Sequence, residues 1–214
     1  MNHIVVNTLP AAAQKNAVKQ KGYSIIELSI ALAIVSIILV GALSGVTKIL
    51  QSNNVNNDVK HLNTVASRIA VLMPNVGTTT GITTLNLVNL RVFDGMKVDA
   101  VASPPTITNS FGGAITISPN TAAINGVGTG KGFLLQSTNI PAAVCGEYIT
   151  ALAPVTSYLH AATGVTIPAA TGGALPNGGT TVKSNGGPLT TAGLATVCTT
   201  KSDPIHVSIL IGDT

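Results

Sequence analysis

Hydrophobic and polar positions divide the chain into three regimes. From Leu28 to Val46, nineteen consecutive residues carry no charge. As a helix rising ~1.5 Å per residue they would cover about 28 Å, close to the roughly 30 Å of a bilayer core. Beyond this run, Val55, Val59, Leu62, Ala66 and Ile69 recur at spacings of four and three, which lays a single apolar stripe along a helix whose other faces are polar. Asn53, Asn54, Asn56 and Asn57 are poor helix formers and predict a weakened turn; Gly41, Ser44 and Gly45 mark a second soft place. Pro74 disfavours helical geometry in the residue before it, so the helix is expected to stop near Met73. Its first half is apolar all round and its second half amphipathic, so only the second half can lie against a globular head.

The third regime begins with a turn-rich connection, PNVGTTTG, at residues 74–81. Short apolar or β-branched runs then recur between turn signals. Leu90–Phe93, Lys97–Val101, Ala114–Ile117 and Gly132–Gln136 read as strands, with Asp94-Gly95 as a tight turn between the first two. The connections are too short for helical crossovers, which makes antiparallel pairing the expectation. Pro141 opens a predicted helix through Cys145 to Leu152, since proline suits a first turn. From 163 to 196 the composition shifts to Gly, Thr, Pro and Asn, predicting a surface segment. Ile205–Ile211 closes the chain as an apolar run with partial alternation, expected in the middle of the sheet.

Composition narrows the function classes. The formal net charge of +4 would point to an acidic partner, yet Lys15, Lys19 and Lys21 all precede the apolar run. Without residues 1–22 eight Lys and Arg face seven Asp and Glu, so the remainder carries no nucleic-acid footprint. Positive charge flanking a spanning helix stays cytoplasmic, which orients everything after it outward. The two cysteines, Cys145 and Cys198, lie in that outward part. There an oxidising compartment permits a disulfide, with two separate thiols as the alternative.

One acid, Glu27, sits just inside the start of the apolar run, where a segment chosen only for hydrophobicity would carry none. The order Lys21-Gly22-Tyr23-Ser24-Ile25-Ile26-Glu27, after a basic leader, resembles the N-terminus of type IV prepilins. The length of the leader and a first residue Tyr23 in place of phenylalanine favour the type IVb branch. Further along, Asn109-Ser110-Phe111-Gly112-Gly113, followed by the Ala114–Ile117 run, is similar to a signature of the bundle-forming, toxin-coregulated and conjugative thin-pilus pilins. The resemblance implies an α+β pilin fold: a long N-terminal helix, half transmembrane and half amphipathic, on an antiparallel sheet with a disulfide-bounded region at 145–198. It divides the chain into a leader at 1–22, the helix at 23–73 (polymerisation part 25–46, amphipathic part 47–73) and a head at 74–214.

The same resemblance implies cleavage after Gly22 by a prepilin peptidase, methylation of Tyr23, and assembly into a homo-oligomeric helical filament. Glu27 would meet the N-terminal ammonium of a neighbouring subunit; a carboxylate snorkelling to headgroups is the competing reading. An inner-membrane assembly platform and its ATPase would be partners. The membrane would hold the protein before assembly, and the extracellular pilus afterwards, in adhesion, aggregation or mating contact. A different class also fits part of the sequence. Ala42-Leu43-Ser44 before Gly45 loosely satisfies a signal peptidase I site, which would release a soluble adhesion or binding domain; beside the major subunit that the resemblance implies, a minor pilin or a type II secretion pseudopilin would keep the fold and change the job.

Enzymatic readings fail on the residues. Gly126–Gly132 has the look of a phosphate loop, but Asn125 stands where its first glycine belongs and Gly132 where a magnesium-binding hydroxyl belongs. His3, His61, His160 and His206 show no ligand spacing to one another or to the cysteines. The expectation is therefore no catalytic residue, no cofactor and no metal. Aromatic residues at 3% leave no stacking platform for single-stranded nucleic acid.

Overall fold

A computed structural model describes residues 22–76, 79, 83–102, 104–164, 175, 179–184, 186–199 and 204–212. The leader through residue 21, part of the 74–81 connection and much of the glycine- and threonine-rich segment lie outside them. The chain forms two compact units, Met1–Gly45 and Val46–Thr214. One helix, α1 (Ile25–Val76), contributes residues to both.

In the first unit every residue from Gly22 to Gly45 is exposed. Here α1 runs through Gly41, Ser44 and Gly45 without the expected softening. Ser36 Oγ donates to Leu32 O at 2.7 Å and Ser44 Oγ to Val40 O at 3.1 Å, so these polar side chains are satisfied by the preceding turn and do not compete with it. In the second unit the helix also passes through Asn53–Asn57 unbroken. Each asparagine costs about 0.5 kcal/mol there, whereas burying Val55 or Leu62 contributes ~1.5–3 kcal/mol. The expected stop near Met73 is likewise overrun: α1 ends at Val76. A proline removes one N–H bond and crowds one turn, a penalty the final turn of a well-packed helix carries.

The head adds α2 (Thr84–Asn89), β1 (Lys97–Asp99), β2 (Thr106–Thr108), β3 (Ala114–Pro119), β4 (Gly132–Ile140), α3 (Cys145–Leu152) after a 3-10 turn at Ala142–Val144, β5 (Tyr158–Thr163), β6 (Thr180–Lys183), α4 (Thr191–Cys198) and β7 (Ile205–Gly212). The seven strands form one sheet in the order β1-β2-β3-β4-β7-β5-β6, with every pair antiparallel. The last strand is inserted between β4 and β5, as its apolar sequence predicts. Both of its faces are covered, so alternation is weak.

Two strand expectations and one surface expectation need correction. Leu90–Phe93 is no strand but the exit of α2. Leu90 and Val92 donate back to Asn86 O and Leu87 O, Arg91 takes a left-handed φ of 55°, and Arg68 on α1 donates to the carbonyls of Arg91 and Val92. A short apolar run is ambiguous by periodicity alone, and this one buries Val92 and Phe93 from a turn. The expected tight turn at Asp94-Gly95 is present, with Gly95 at φ +94°. β1 stops at Asp99, leaving Val101 exposed. The 163–196 segment is not purely surface, since β6 buries Val182 and α4 buries Gly193.

The sheet has two buried faces. On one, Ile115, Ile117, Phe133, Leu135, Leu159, Val207 and Ile209 join Val55, Leu62, Val65 and Ile69 of α1 and Tyr148, Ile149 and Leu152 of α3 in the main core. On the other, Leu134, Tyr158 and Leu210 pack with Ile124 and Val127. These last two come from the loop that resembles a phosphate loop. Asn125 and Gly126 both have positive φ, at 53° and 88°, and Ile124 and Val127 exchange backbone hydrogen bonds. It is a tight Asn-Gly hairpin turn.

Candidate functional site

Two places carry the sequence motifs. At the N-terminus, Leu28 N donates to Ser24 O at 3.1 Å, closing the first turn of α1. Glu27 lies in that turn, four residues on from Tyr23, whose side chain is exposed, as is that of Glu27. Exposed apolar side chains follow, among them Leu28, Ile30, Leu32, Ile34, Ile37, Leu39, Val40 and Leu43. This part of α1 is long and apolar enough to cross a membrane.

The second place is the turn between β2 and β3. Asn109 is buried, 6% exposed, and both ends of its amide are filled. Nδ2 donates to Ser137 Oγ at 3.0 Å and Thr138 O at 2.7 Å, while Oδ1 accepts from Phe111 N at 3.0 Å and Gly113 N at 2.7 Å. An amide offers two donors and one two-lone-pair acceptor, and Asn109 uses all of them to hold this turn and β4 together. Gly112 supplies a left-handed φ of +79°. Phe111 sets its ring edge-on to Tyr148, centroids 6.2 Å apart.

The turn is also tied to α1. Asp58, 1% exposed, accepts from Ser110 N at 2.8 Å through Oδ1. Burial pushes its carboxyl up from the usual carboxylate range, against the hydrogen bonds from Ser110. Tyr148, whose hydroxyl lies 3.4 Å from Ser137 Oγ, is held well above the ordinary phenol range by burial, with the Asp58 charge adding to it. Asp58, Ser137 and Tyr148 escaped the sequence reading. The one available signal was Asp58 itself, a carboxylate inside an otherwise apolar helical stripe.

Cys145 and Cys198 form a disulfide, Cα–Cα 5.6 Å, joining the start of α3 to the end of α4. It closes a loop of sequence separation 53, for which chain entropy gives ~4 kcal/mol. The Cys145→Ala/Cys198→Ala double variant is expected to lose about 2–5 kcal/mol of head stability. A chemical melt showing no loss would place the stabilisation elsewhere.

A family model described as PilS N terminal matches residues 52–211. The chain belongs to the PilS family. A second model, the prokaryotic N-terminal methylation motif, matches residues 18–43 and so contains Gly22, Tyr23 and Glu27. No curated protein matches. Among solved structures, the type IV b pilin from Salmonella typhi is 19% identical, with 72% of this chain and 97% of that one covered and a TM-score of 0.49. TcpA, a type IV pilin from Vibrio cholerae El Tor biotype, is 19% identical over 74% of this chain and 98% of that one, with a TM-score of 0.45.

The methylation-motif match spans Lys21–Glu27 and the PilS match spans Asn109–Gly113, the two stretches that carry the resemblance to type IVb pilins. The long helix, the antiparallel sheet and the Cys145–Cys198 bond are the arrangement that the resemblance implied. The methylation motif and the apolar helix fit a membrane-anchored precursor and then an extracellular pilus.

Proposed function

We propose that this pilin is the major structural subunit of a type IVb pilus. The observation that carries this reading is the exposed apolar half of α1 with a single acid in its first turn. A prepilin peptidase cuts after Gly22, Tyr23 becomes the methylated N-terminus, and residues 23–73 remain as the helix that carries the head. Twenty-odd apolar residues leave lipid only for another apolar environment, and a bundle of identical helices supplies one. Each buried Leu or Ile contributes ~1.5–3 kcal/mol, enough in sum to compete with the bilayer. Extraction still needs work, which an inner-membrane platform and its ATPase supply. Glu27 sets the fit by meeting the Tyr23 ammonium of a neighbour, two charges that would each be costly alone among apolar helices. The finished filament serves adhesion, aggregation or mating contact.

The test is intact-mass and N-terminal analysis of filaments sheared from cells. The expected polypeptide starts at Tyr23, carries one methyl group, and lacks two hydrogens because Cys145 and Cys198 are bonded. A chain starting at Gly45 would instead mark a soluble domain released by signal peptidase I.

A further inference from the structure

His160 and His206 are far apart in sequence and show no ligand spacing, yet strand pairing makes them neighbours. β5 and β7 pair with His160 opposite Ser208 and Ala162 opposite His206. The two histidines therefore stand on the same face of adjacent strands, one diagonal step apart. That separation is about 7–8 Å between backbones and less between Cβ atoms. Their face is the one bearing Tyr158 and Leu210, turned away from the α1 core.

The nitrogens are the telling feature. Nδ1 of each ring is buried and has no hydrogen-bond partner among the described residues. His160, 6% exposed, bonds the backbone of Gly179; with Nδ1 unpaired, that bond belongs to Nε2. Gly179 is pressed against the ring, since a Cβ there would lie 2.1 Å from Cε1 and 2.7 Å from Nε2. A proton held on Nε2 toward a carbonyl leaves the lone pair bare on Nδ1. Ligating histidines use this arrangement, one nitrogen fixed by a backbone acceptor and the other facing the ion. A buried ring nitrogen left without a partner is destabilising, and here two of them occupy diagonal positions.

We propose that His160 and His206 form a two-histidine site for a divalent transition-metal ion of the zinc type, bound through the two Nδ1 atoms. Among the described residues no third His, Cys, Asp or Glu joins them. The remaining coordination positions fall to water, with the Ser208 hydroxyl opposite His160 as a further oxygen. Such a site binds reversibly and does not replace the disulfide as a structural clamp. Burial holds both imidazoles below their ordinary range.

The test uses tag-free full-length protein in detergent micelles, with His3→Gln so that the N-terminal peptide does not compete, titrated with Zn2+ at pH 7.5. Calorimetry is expected to show one ion per chain, and imidazole nitrogen spectra to show two Nδ1 resonances moving together. His206→Gln removes a half-exposed side chain and should fold as the parent does, with at least about tenfold weaker binding. His160→Gln/His206→Gln should abolish the site. Zn2+ binding equally to parent and His206→Gln, or movement of Nε2 instead of Nδ1 resonances, overturns the proposal.

Discussion

Cells producing only the Glu27→Ala chain are expected to be bald. The chain should still be cut after Gly22 and held in the inner membrane in parental amounts. The apolar run from Leu28 to Val46 is untouched, and it is what partitions the chain into lipid. What the variant lacks is the acid proposed to answer a neighbour's N-terminal ammonium. That ammonium would then have to enter the helical bundle unpaired, a burial that costs more than leaving it at the membrane surface. Close charge pairs at interfaces couple by at least ~1.5 kcal/mol, or about tenfold per contact. Because every subunit repeats the contact, the deficit falls on each addition and elongation stalls. Glu27→Gln keeps the shape and removes only the charge, so it should fail nearly as completely. The measurement is electron microscopy of negatively stained cells, with immunoblots of membrane and sheared fractions to confirm processing. Piliated Glu27→Ala cells with a normally processed subunit would remove Glu27 from the assembly contact.

What was legible in the sequence follows from how local each signal is. The stripe Val55, Val59, Leu62, Ala66, Ile69 named the packed face of α1, because a helical period is fixed by neighbours three and four residues away. Ile205–Ile211 named its own central place by being mostly apolar with only partial alternation. Leu90–Phe93 misled because a run of four residues, three of them apolar, carries no period, and the left-handed turn at Arg91 that decides the matter is met by Arg68 from α1. β2, β5 and β6 were missed for a related reason. Thr106–Thr108 and Thr180–Lys183 are short edge-side strands whose partners lie elsewhere. At the candidate site, the signature pointed to Asn109–Gly113, but its purpose lies in contacts with Asp58, Ser137 and Thr138. No spacing along the chain encodes those contacts.

The same turn supplies the largest expected loss of stability, and two adjacent glycines separate its causes. Gly112 has φ +79° and nothing within 4 Å of the position a Cβ would take. Gly112→Ala therefore meets only the left-handed penalty, about 1–2 kcal/mol. Gly113 has the opposite problem. A Cβ there would sit 1.9 Å from Thr138 O, 2.6 Å from its carbonyl carbon and 2.8 Å from Asn139 Cβ. Two of the three atoms are backbone and cannot rotate away. Thr138 O already accepts from Asn109 Nδ2, and Thr138 Oγ1 bridges to Ala114 N and O at 2.8 and 3.1 Å. β4 bulges here between Ser137 and Ile140, with Asn139 at φ +59°. Retreat of this segment breaks the Asn109 amide bonds along with the β3–β4 closure, leaving buried polar groups unpaired at ~1–3 kcal/mol each. Gly113→Ala should therefore lose more than about 4 kcal/mol, beyond the ordinary range for a single substitution, and yield a head that is cleaved by protease with its disulfide intact. Thermal melts and limited proteolysis of both variants decide it. A Gly113→Ala head as stable as the Gly112→Ala head would mean that β4 can move aside, and that the second glycine is not there for room.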